Sequence, residues 1–322
     1  MWKYCGKKII ETLIVMLLIS FFSFAIIYVA PGDISSMYIT GDMSEKEREA
    51  VMEKLGADQS LPEQYIGWLG KALHGDLGVS LSNKSAVAPQ LMRRLPTTIL
   101  LMGCALLLSL ILAIPLGLWA GYRKNGIVDN IISFLSYVGM SIPSFWLGML
   151  LIILFTAKLG VLPSGGMHTV GNESVLDTVK HLIMPSITLS LGSLATFIRY
   201  IRTNTISQLA EEYVLTAEAK GTTASNILWK HVLKNTLLPI ITLLGMNLAS
   251  LVCGSFIIES VFGWPGIGMF AMSAIGQRDY PIIMAYIMLS GFILVMGNLL
   301  ADLLYAFADP RIKRGIDRAN GK

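Results

Sequence analysis

The chain has 322 residues, of which 54% are hydrophobic and only 14% carry a charge. Soluble proteins carry about 25% charged residues, so this composition excludes an ordinary soluble protein and indicates that lipid surrounds much of the surface. The three cysteines form no CxxC pair, the four histidines share no ligand spacing, and no GxxxxGK[ST] phosphate-binding loop occurs. We therefore expect no metal site, and no cofactor or nucleotide bound by this chain.

Six apolar runs are long enough to cross a bilayer core, which requires about 20 helical residues. Backbone groups find no water partners in lipid, so these runs are predicted to be helices. The predicted spans are Ile9–Ala30, Thr98–Gly121, Ile131–Ala157 with Pro143 inside it, Ile183–Thr203, Leu237–Ile258 and Ile282–Ala306. The first run is too long for a signal peptide and lacks a cleavage site, so we expect it to be retained. The predicted fold class is an all-α polytopic membrane protein.

Residues 31–95 are predicted to form an extracytoplasmic segment that contains two short helices. The first begins at a capping box opened by Ser44 and runs towards Leu55, and the second begins at Pro62. Apolar residues recur at helical spacing on one face of the second helix: Tyr65, Trp68, Leu69, Ala72 and Leu73. This face either packs on the membrane part of the same chain or docks an outside partner, and the pattern leaves both open.

The distribution of Lys and Arg predicts the orientation in the membrane. Fifteen lie in the N-terminus, the second-to-third and fourth-to-fifth connections and the C-terminal tail. Only three lie on the opposite side once residues 31–95 are set aside, because the rule does not apply to long segments. Both termini are therefore predicted to face the cytoplasm.

Few residues within the spans could carry chemistry. Every histidine lies in a loop or at the end of a span, so the serines near the spans have no base at matching depth, which argues against an intramembrane serine protease. Arg199, Arg202 and Asp302 lie near the inner ends of spans, where long side chains can reach the interface, and Glu259 lies at an outer end. Ion pumps and proton-coupled carriers usually keep charges in mid-membrane. A translocation path through this chain would therefore take its energy from elsewhere.

The cytoplasmic connection of residues 204–236 contains two short helices. Glu211 and Glu212 favour the beginning of the first helix, because negative charges are stabilising at a helix N-terminus, and Gly221 favours its end. Such a helix, with its small residues, could fit a groove on another protein or lie on lipid headgroups, and the residues alone leave both open. A second helix follows with His231 and Asn235 on one face, before Pro239 begins the next span.

This connection resembles the cytoplasmic EAA loop of ABC-importer permeases, in the form used by the peptide/nickel family. The resemblance rests on a Y-x-x-x-A-x-A-K-G core and an H-x-x-x-N-x-x-x-P tail, formed by Tyr213, Ala217, Ala219, Lys220 and Gly221, and by His231, Asn235 and Pro239. Further similar stretches follow in order along the chain: Pro31–Asp33, Gly75–Gly78, Ser141–Trp146, Ile258–Gly268, Arg278–Pro281 and Asp309–Arg311. One departure is Leu215, which stands where the general importer motif has a glutamate.

The resemblance implies a type I ABC-importer permease fold of six transmembrane helices, with a small extracytoplasmic helical insertion after helix 1. Residues 1–30 would hold the N-terminus and helix 1, residues 96–306 the permease core, and residues 307–322 a cytoplasmic tail. The implied partners are a homologous second permease in a heterodimer, two ATPase subunits that bind ATP and Mg, an extracytoplasmic substrate-binding protein and the lipid bilayer, but no nucleic acid. The chain itself would be a non-catalytic subunit in a bacterial cytoplasmic (inner) membrane.

The resemblance also implies which residues serve transport. Coupling to the ATPase would fall to Tyr213, Ala217, Glu218, Ala219, Lys220, Gly221, Thr222 and Thr223, supported by His231, Asn235 and Pro239. The glycine-rich segment Phe262–Gly268 is too short to span, so we expect it to re-enter the outer leaflet and line the outer mouth of the path with Phe262, Trp264, Pro265 and Gly266. Trp264 would either narrow the path or anchor at the headgroup level.

Peptides are the substrates that the resemblance favours. Nickel or a metal chelate, imported by the same type of complex, is the alternative within the family. A stand-alone channel or secondary carrier is the alternative from another functional class.

Overall fold

The computed structural model describes residues 2–29, 44–46 and 60–308. This part of the chain is helical, as predicted, and its helices are α1 (Trp2–Val29), α2 (Leu61–Leu73), α3 (Val87–Tyr122), α4 (Ile127–Ser141), α5 (Ser144–Leu151), α6 (Val175–Leu209), α7 (Glu212–Ala219), α8 (Leu233–Val261), α9 (Ile267–Gln277) and α10 (Tyr280–Ala308). A π-helical segment, Ile152–Lys158, continues α5, and a second one, Ile227–Val232, precedes α8. The helix predicted from Ser44 towards Leu55 and most of the tail fall largely outside the described residues.

Four helices in the described residues are long and apolar enough to cross a membrane: Lys8–Val29, α3, α6 and Tyr280–Ala301. They make the chain a multi-pass membrane protein. α4 and the extended α5 supply a fifth span if they count as one. The 29-residue α8 contains the predicted fifth run, but several of its side chains fall outside the described set. The total of six spans therefore stays a prediction.

The predicted third span, Ile131–Ala157, is sharply bent. Its two halves, α4 and the extended α5, meet at an angle of 100°. The break falls at Ile142 and Pro143, where Ile142 is extended, with ψ 122°. A proline disfavours helical geometry at the residue before it and cannot donate a backbone hydrogen bond. Pro143 therefore divides the run rather than sitting within a continuous helix.

The close packing of α3 on α6 organises the membrane domain. Gly117 and Gly121 lie one turn apart on α3, and a Cβ atom at either position would lie 2.7 Å from the Ile201 Cβ or 2.6 Å from the Thr205 Cβ of α6. Small residues four apart let two helix backbones approach closely in lipid, where van der Waals packing drives association. Neither glycine could be replaced by a larger residue without separating the two helices.

A buried ion pair joins α4 to α6. The Arg202 guanidinium donates to both carboxylate oxygens of Asp129, with 2.7 Å between Nη2 and Oδ2. Asp129 is only 1% exposed and also accepts a 2.8 Å hydrogen bond from the backbone N–H of Asn125. Arg202 is therefore not an isolated charge: its side chain is 25% exposed and Asp129 compensates its charge inside the protein.

The amphipathic helix α2 packs on α1. The Ser20 and Tyr65 hydroxyl oxygens lie 2.7 Å apart, and the Tyr65 ring meets the Phe24 ring edge-on at 5.7 Å. Trp68 also contacts Phe24, with ring centroids 5.9 Å apart. The apolar face of α2 thus packs on the membrane part of the same chain, which was the first of the two alternatives. Leu73 at the end of α2 remains 78% exposed.

Candidate functional site

The short helix α7 has defined signals at both ends. Glu211 occupies the N-cap position and Glu212 lies in the first turn, where a negative charge is favourable. At the other end the Gly221 N–H donates to the Glu218 carbonyl at 2.8 Å, and the Thr222 N–H to the Ala217 carbonyl at 3.0 Å. These two bonds form a Schellman motif. It requires the left-handed backbone of Gly221, whose φ is +74°, so the predicted helix end is confirmed.

One face of α7 is fixed to its own subunit. Val214 and Ala217 are buried in an apolar cluster that includes Ile201 of α6 and Val232 of the π-helical segment. The Tyr213 hydroxyl donates a 2.8 Å hydrogen bond to Oε1 of Gln208 at the end of α6. Two of the predicted coupling residues, Tyr213 and Ala217, therefore hold α7 on its own subunit, and their contact with an ATPase stays a prediction.

The opposite face of α7 is exposed in the part of the chain that the structure describes. Its exposed residues are Leu215, Thr216, Glu218, Ala219, Lys220 and Gly221, while Thr222 is half-buried and Thr223 is exposed. Leu215 is 61% exposed, and Trp229 in the π-helical segment is 51% exposed. Because the other face of α7 is buried in its own subunit, this face is the one that another protein could contact. The face that could meet another protein therefore contains Leu215 and the residues from Glu218 to Gly221.

The predicted supporting residues lie in a continuous helix. From Ala224 the chain runs through the π-helical segment into α8 without a break, so Pro239 lies inside α8 and does not begin a span. This corrects the prediction of a separate second helix. His231 and Asn235 are both exposed, one in the π-helical segment and one in α8. π-Helical turns occur frequently at functional sites, and this one begins at Ile227, with seven residues between it and the end of α7.

A buried carboxylate organises the turn between α8 and α9. Glu259 is fully buried, and its Oε2 accepts hydrogen bonds from the backbone N–H groups of Gly268 (2.7 Å) and Met269 (3.0 Å) at the beginning of α9. Its Oε1 accepts a 2.7 Å hydrogen bond from the Thr98 hydroxyl of α3. That hydroxyl in turn accepts a 2.9 Å hydrogen bond from the Ile267 N–H. Glu259 thus binds the otherwise unpaired amides of a helix N-terminus and ties them to α3.

The predicted outer-mouth residues mostly lie inside the protein. Phe262 is 1% and Trp264 0% exposed, and the Trp264 Nε1–H donates to the Thr97 carbonyl at 2.9 Å. Gly266 is also buried because it lies against the Glu259 carboxylate, where a Cβ atom would overlap it. Only Pro265 is exposed.

This burial changes the predicted role of the tryptophan. Both alternatives, a ring that narrows the path and an anchor among headgroups, need an indole on the surface, and Trp264 is a core residue in this structure. The segment forms a tight turn into α9, an apolar helix of 11 residues that is too short to cross a bilayer.

A second carboxylate joins residues 31–95 to the α9–α10 junction. Asp279 Oδ2 accepts hydrogen bonds from the Ser80 hydroxyl (2.6 Å), the Ser82 hydroxyl (2.9 Å) and the Ser82 N–H (3.1 Å). Burial raises the pKa of the Asp279 carboxyl, but the hydrogen bonds from Ser80, Ser82 and Leu81 outweigh burial and hold the pKa below its usual value. The sequence places Glu259 at the outer end of a span and Asp279 in a stretch that carries the family resemblance, but it predicts the contacts of neither carboxylate.

Two family descriptions match the chain. The family described as "Binding-protein-dependent transport system inner membrane component" matches residues 113–314. Its N-terminal counterpart, "Binding-prot-dependent transport system membrane comp, N-term", matches residues 1–102. Together they cover nearly the whole chain.

Curated relatives match over almost their full length. The oligopeptide transport system permease protein AppB of Bacillus subtilis (strain 168) is 38% identical over 96% of this chain and 99% of its own. The glutathione transport system permease protein GsiC of Pectobacterium atrosepticum is 34% identical over 97% and 99%. The dipeptide transport system permease protein DppB of Escherichia coli (strain K12) is 30% identical over 92% and 94%.

A solved structure shares the fold. The inward-facing MetNI methionine ABC transporter contains a chain that superimposes with a TM-score of 0.56 at 16% identity, over 68% of this chain and 96% of that one. At this identity the likeness concerns the fold alone. The curated relatives and the family matches establish the family as well as the fold. This chain belongs to the inner-membrane permease components of binding-protein-dependent transport systems.

Proposed function

We propose that the chain imports peptides as one of two homologous permeases in an ABC importer, powered by two ATPase subunits and supplied by an extracytoplasmic binding protein. The relatives named above transport oligopeptides, dipeptides and glutathione. Their names do not favour the nickel alternative. Within the described residues, no group of three or more His, Cys, Asp or Glu side chains could hold a metal ion. ATP and Mg are assigned to the ATPase partners.

The two faces of α7 carry the coupling part of this proposal. The buried face, with Val214 and Ala217, shares one apolar cluster with α3 and α6, so displacement of α7 would move the membrane helices with it. The exposed face, with Leu215 and Glu218 to Gly221, is left for an ATPase. A ligand can shift a conformational equilibrium only by binding one state more tightly than the other. ATP would do so on the ATPase side, and α7 would transmit the change.

The proposed orientation places α7 and both termini in the cytoplasm. It follows from the fifteen Lys and Arg residues on that side against three on the other. Residues 60–86 and the α5–α6 connection would then face the binding protein.

Reconstitution tests the proposal against the channel and carrier alternatives. The chain, its sister permease and two ATPase copies are placed in proteoliposomes, and uptake of labelled tri-alanine is measured with and without ATP and the binding protein. We expect uptake only when both are present. Uptake without ATP would identify a channel or a secondary carrier, and uptake of nickel in place of tri-alanine would contradict the peptide assignment.

A further inference from the structure

The exposed face of α6 changes character along the helix. Before Gly192 the exposed residues are mostly apolar, namely Val175, Leu176, Val179, Ile183 and Ile187, with Lys180 as the one exposed charge; from Gly192 to Ser207 they are Gly192, Arg199, Thr203 and Ser207, with no large apolar side chain. α3 differs, because between residues 99 and 119 it exposes only apolar residues: Ile99, Leu100, Leu107, Ile111, Leu112, Pro115 and Trp119. A charged residue facing lipid is costly. The second half of α6 is therefore suited to face water or protein, whereas α3 is suited to face lipid.

Arg199 and Arg202 lie one turn apart on α6 but differ in how their charges are compensated. Arg202 forms the ion pair with Asp129 and its side chain is 25% exposed. Arg199 is exposed, and no carboxylate in the described residues pairs with it. An arginine within a predicted span persists only where its charge has a partner or reaches water. Arg199 is thus a cation that is open to water or to a group outside the described residues.

Arg199 stands at the narrow end of a groove between α4 and α6. The cavity beside it has a volume of about 40 Å³ and is also lined by Ser136 and Met140. Met140 borders a second cavity of about 230 Å³, whose lining also includes Thr188 and Ser193. The two cavities share Met140 and are called here the α4–α6 groove.

We infer that this groove is a wall of the translocation path and that the Arg199 guanidinium binds the C-terminal carboxylate of the passing peptide. The inference rests on the proposed function and adds the group by which the substrate is held. A guanidinium presents two parallel N–H donors that match a carboxylate, and the pair is stronger than a neutral hydrogen bond. Every unmodified peptide carries this carboxylate whatever its sequence. One arginine can therefore serve peptides of different composition.

The test measures protection of a cysteine at Thr203, which is exposed one turn beyond Arg199. Thr203→Cys is made in a chain whose three native cysteines are replaced by alanine. The assembled complex is labelled with a charged thiol reagent in the absence of the binding protein, so that the specificity of that protein cannot affect the result. The labelling rate is measured at increasing concentrations of tri-alanine or of its C-terminal amide.

We expect tri-alanine to slow the labelling and the amide to have no effect. Arg199→Gln should raise the tri-alanine concentration for half-protection about tenfold, which is what loss of one charge-assisted hydrogen bond produces. Arg123→Gln is the matched control, because Arg123 is an exposed arginine at the end of α3 that lines neither cavity of the groove. This control should leave half-protection unchanged.

Three results would overturn the inference: no protection by tri-alanine, equal protection by the amide, or unchanged protection in Arg199→Gln. A fourth is a labelling rate that depends on anionic phospholipid and loses this dependence in Arg199→Gln, because Arg199 would then bind a lipid headgroup. If the parent complex imports tri-alanine but these results are obtained, the peptide-importer function stands and only the role of Arg199 fails.

Discussion

Replacing Thr98 by valine tests whether the Glu259 network holds the α8–α9 turn on α3. Valine keeps the shape of the side chain but removes the hydroxyl that donates to Glu259 Oε1 and accepts from the Ile267 N–H. A hydrogen bond to a charged group contributes about 1.5–3 kcal/mol, and a buried N–H left unpaired costs about 1–3 kcal/mol. We expect the free energy of unfolding to fall by about 3–5 kcal/mol.

Thr236→Val is the matched control. Thr236 is fully buried like Thr98, but its hydroxyl oxygen has no hydrogen-bond partner among the described residues. Removing an unpaired buried hydroxyl should leave stability unchanged or raise it. Thermal unfolding of both variants is followed in detergent by loss of the monodisperse peak. Equal stability of the two variants would refute the role assigned to the Glu259 network.

Three further predictions concern other parts of the chain. Gly221→Val should incur about 1–2 kcal/mol of local backbone strain, because φ is +74° there, while an added Cβ atom would have no neighbour within 4 Å. Uptake should fall while membrane insertion and assembly, measured by co-purification, stay normal. The pKa of Asp279 is lowered, so the carboxylate stabilises the fold at pH values above the ordinary aspartate pKa of about 3.9, and this stabilisation is lost as the pH falls below that value. The difference in melting temperature between the parent and Asp279→Asn should therefore shrink below about pH 4. Cysteine at exposed Glu173 should react with an impermeant reagent from outside and cysteine at exposed Ser225 should not; the reverse labelling would contradict the orientation.

The sequence predicted features that depend on local composition. Apolar length located the four helices that are long and apolar enough to span a membrane. Gly221 marked the end of α7, because only glycine enters the left-handed conformation at little cost. The run with Pro143 inside it was predicted as one span, and the 100° bend was not predicted, because it also depends on how both halves pack.

The features that sequence reasoning missed are contacts between distant residues. Asp129 and Arg202 are 73 positions apart, and Thr98 and Glu259 are 161 apart. Neither contact produces a periodic pattern in the sequence, because each partner by itself is only a polar residue near the end of a span. The pairing could therefore not be predicted. The inward-facing side chains of Tyr213 and Ala217 were missed for a related reason: the resemblance identified these residues as important without saying which neighbour they contact.

Site-specific photo-crosslinking from α7 tests most directly whether this chain receives the energy of ATP hydrolysis through that helix. A photoreactive residue is placed at exposed Glu218, and at exposed Glu173 in the α5–α6 connection as the control. In the assembled complex the probe at Glu218 should form an adduct with the ATPase chain whose yield changes between the ATP-bound and nucleotide-free states, and the probe at Glu173 should form none. An ATPase adduct from Glu173, or an equal yield from Glu218 in both nucleotide states, would contradict the account.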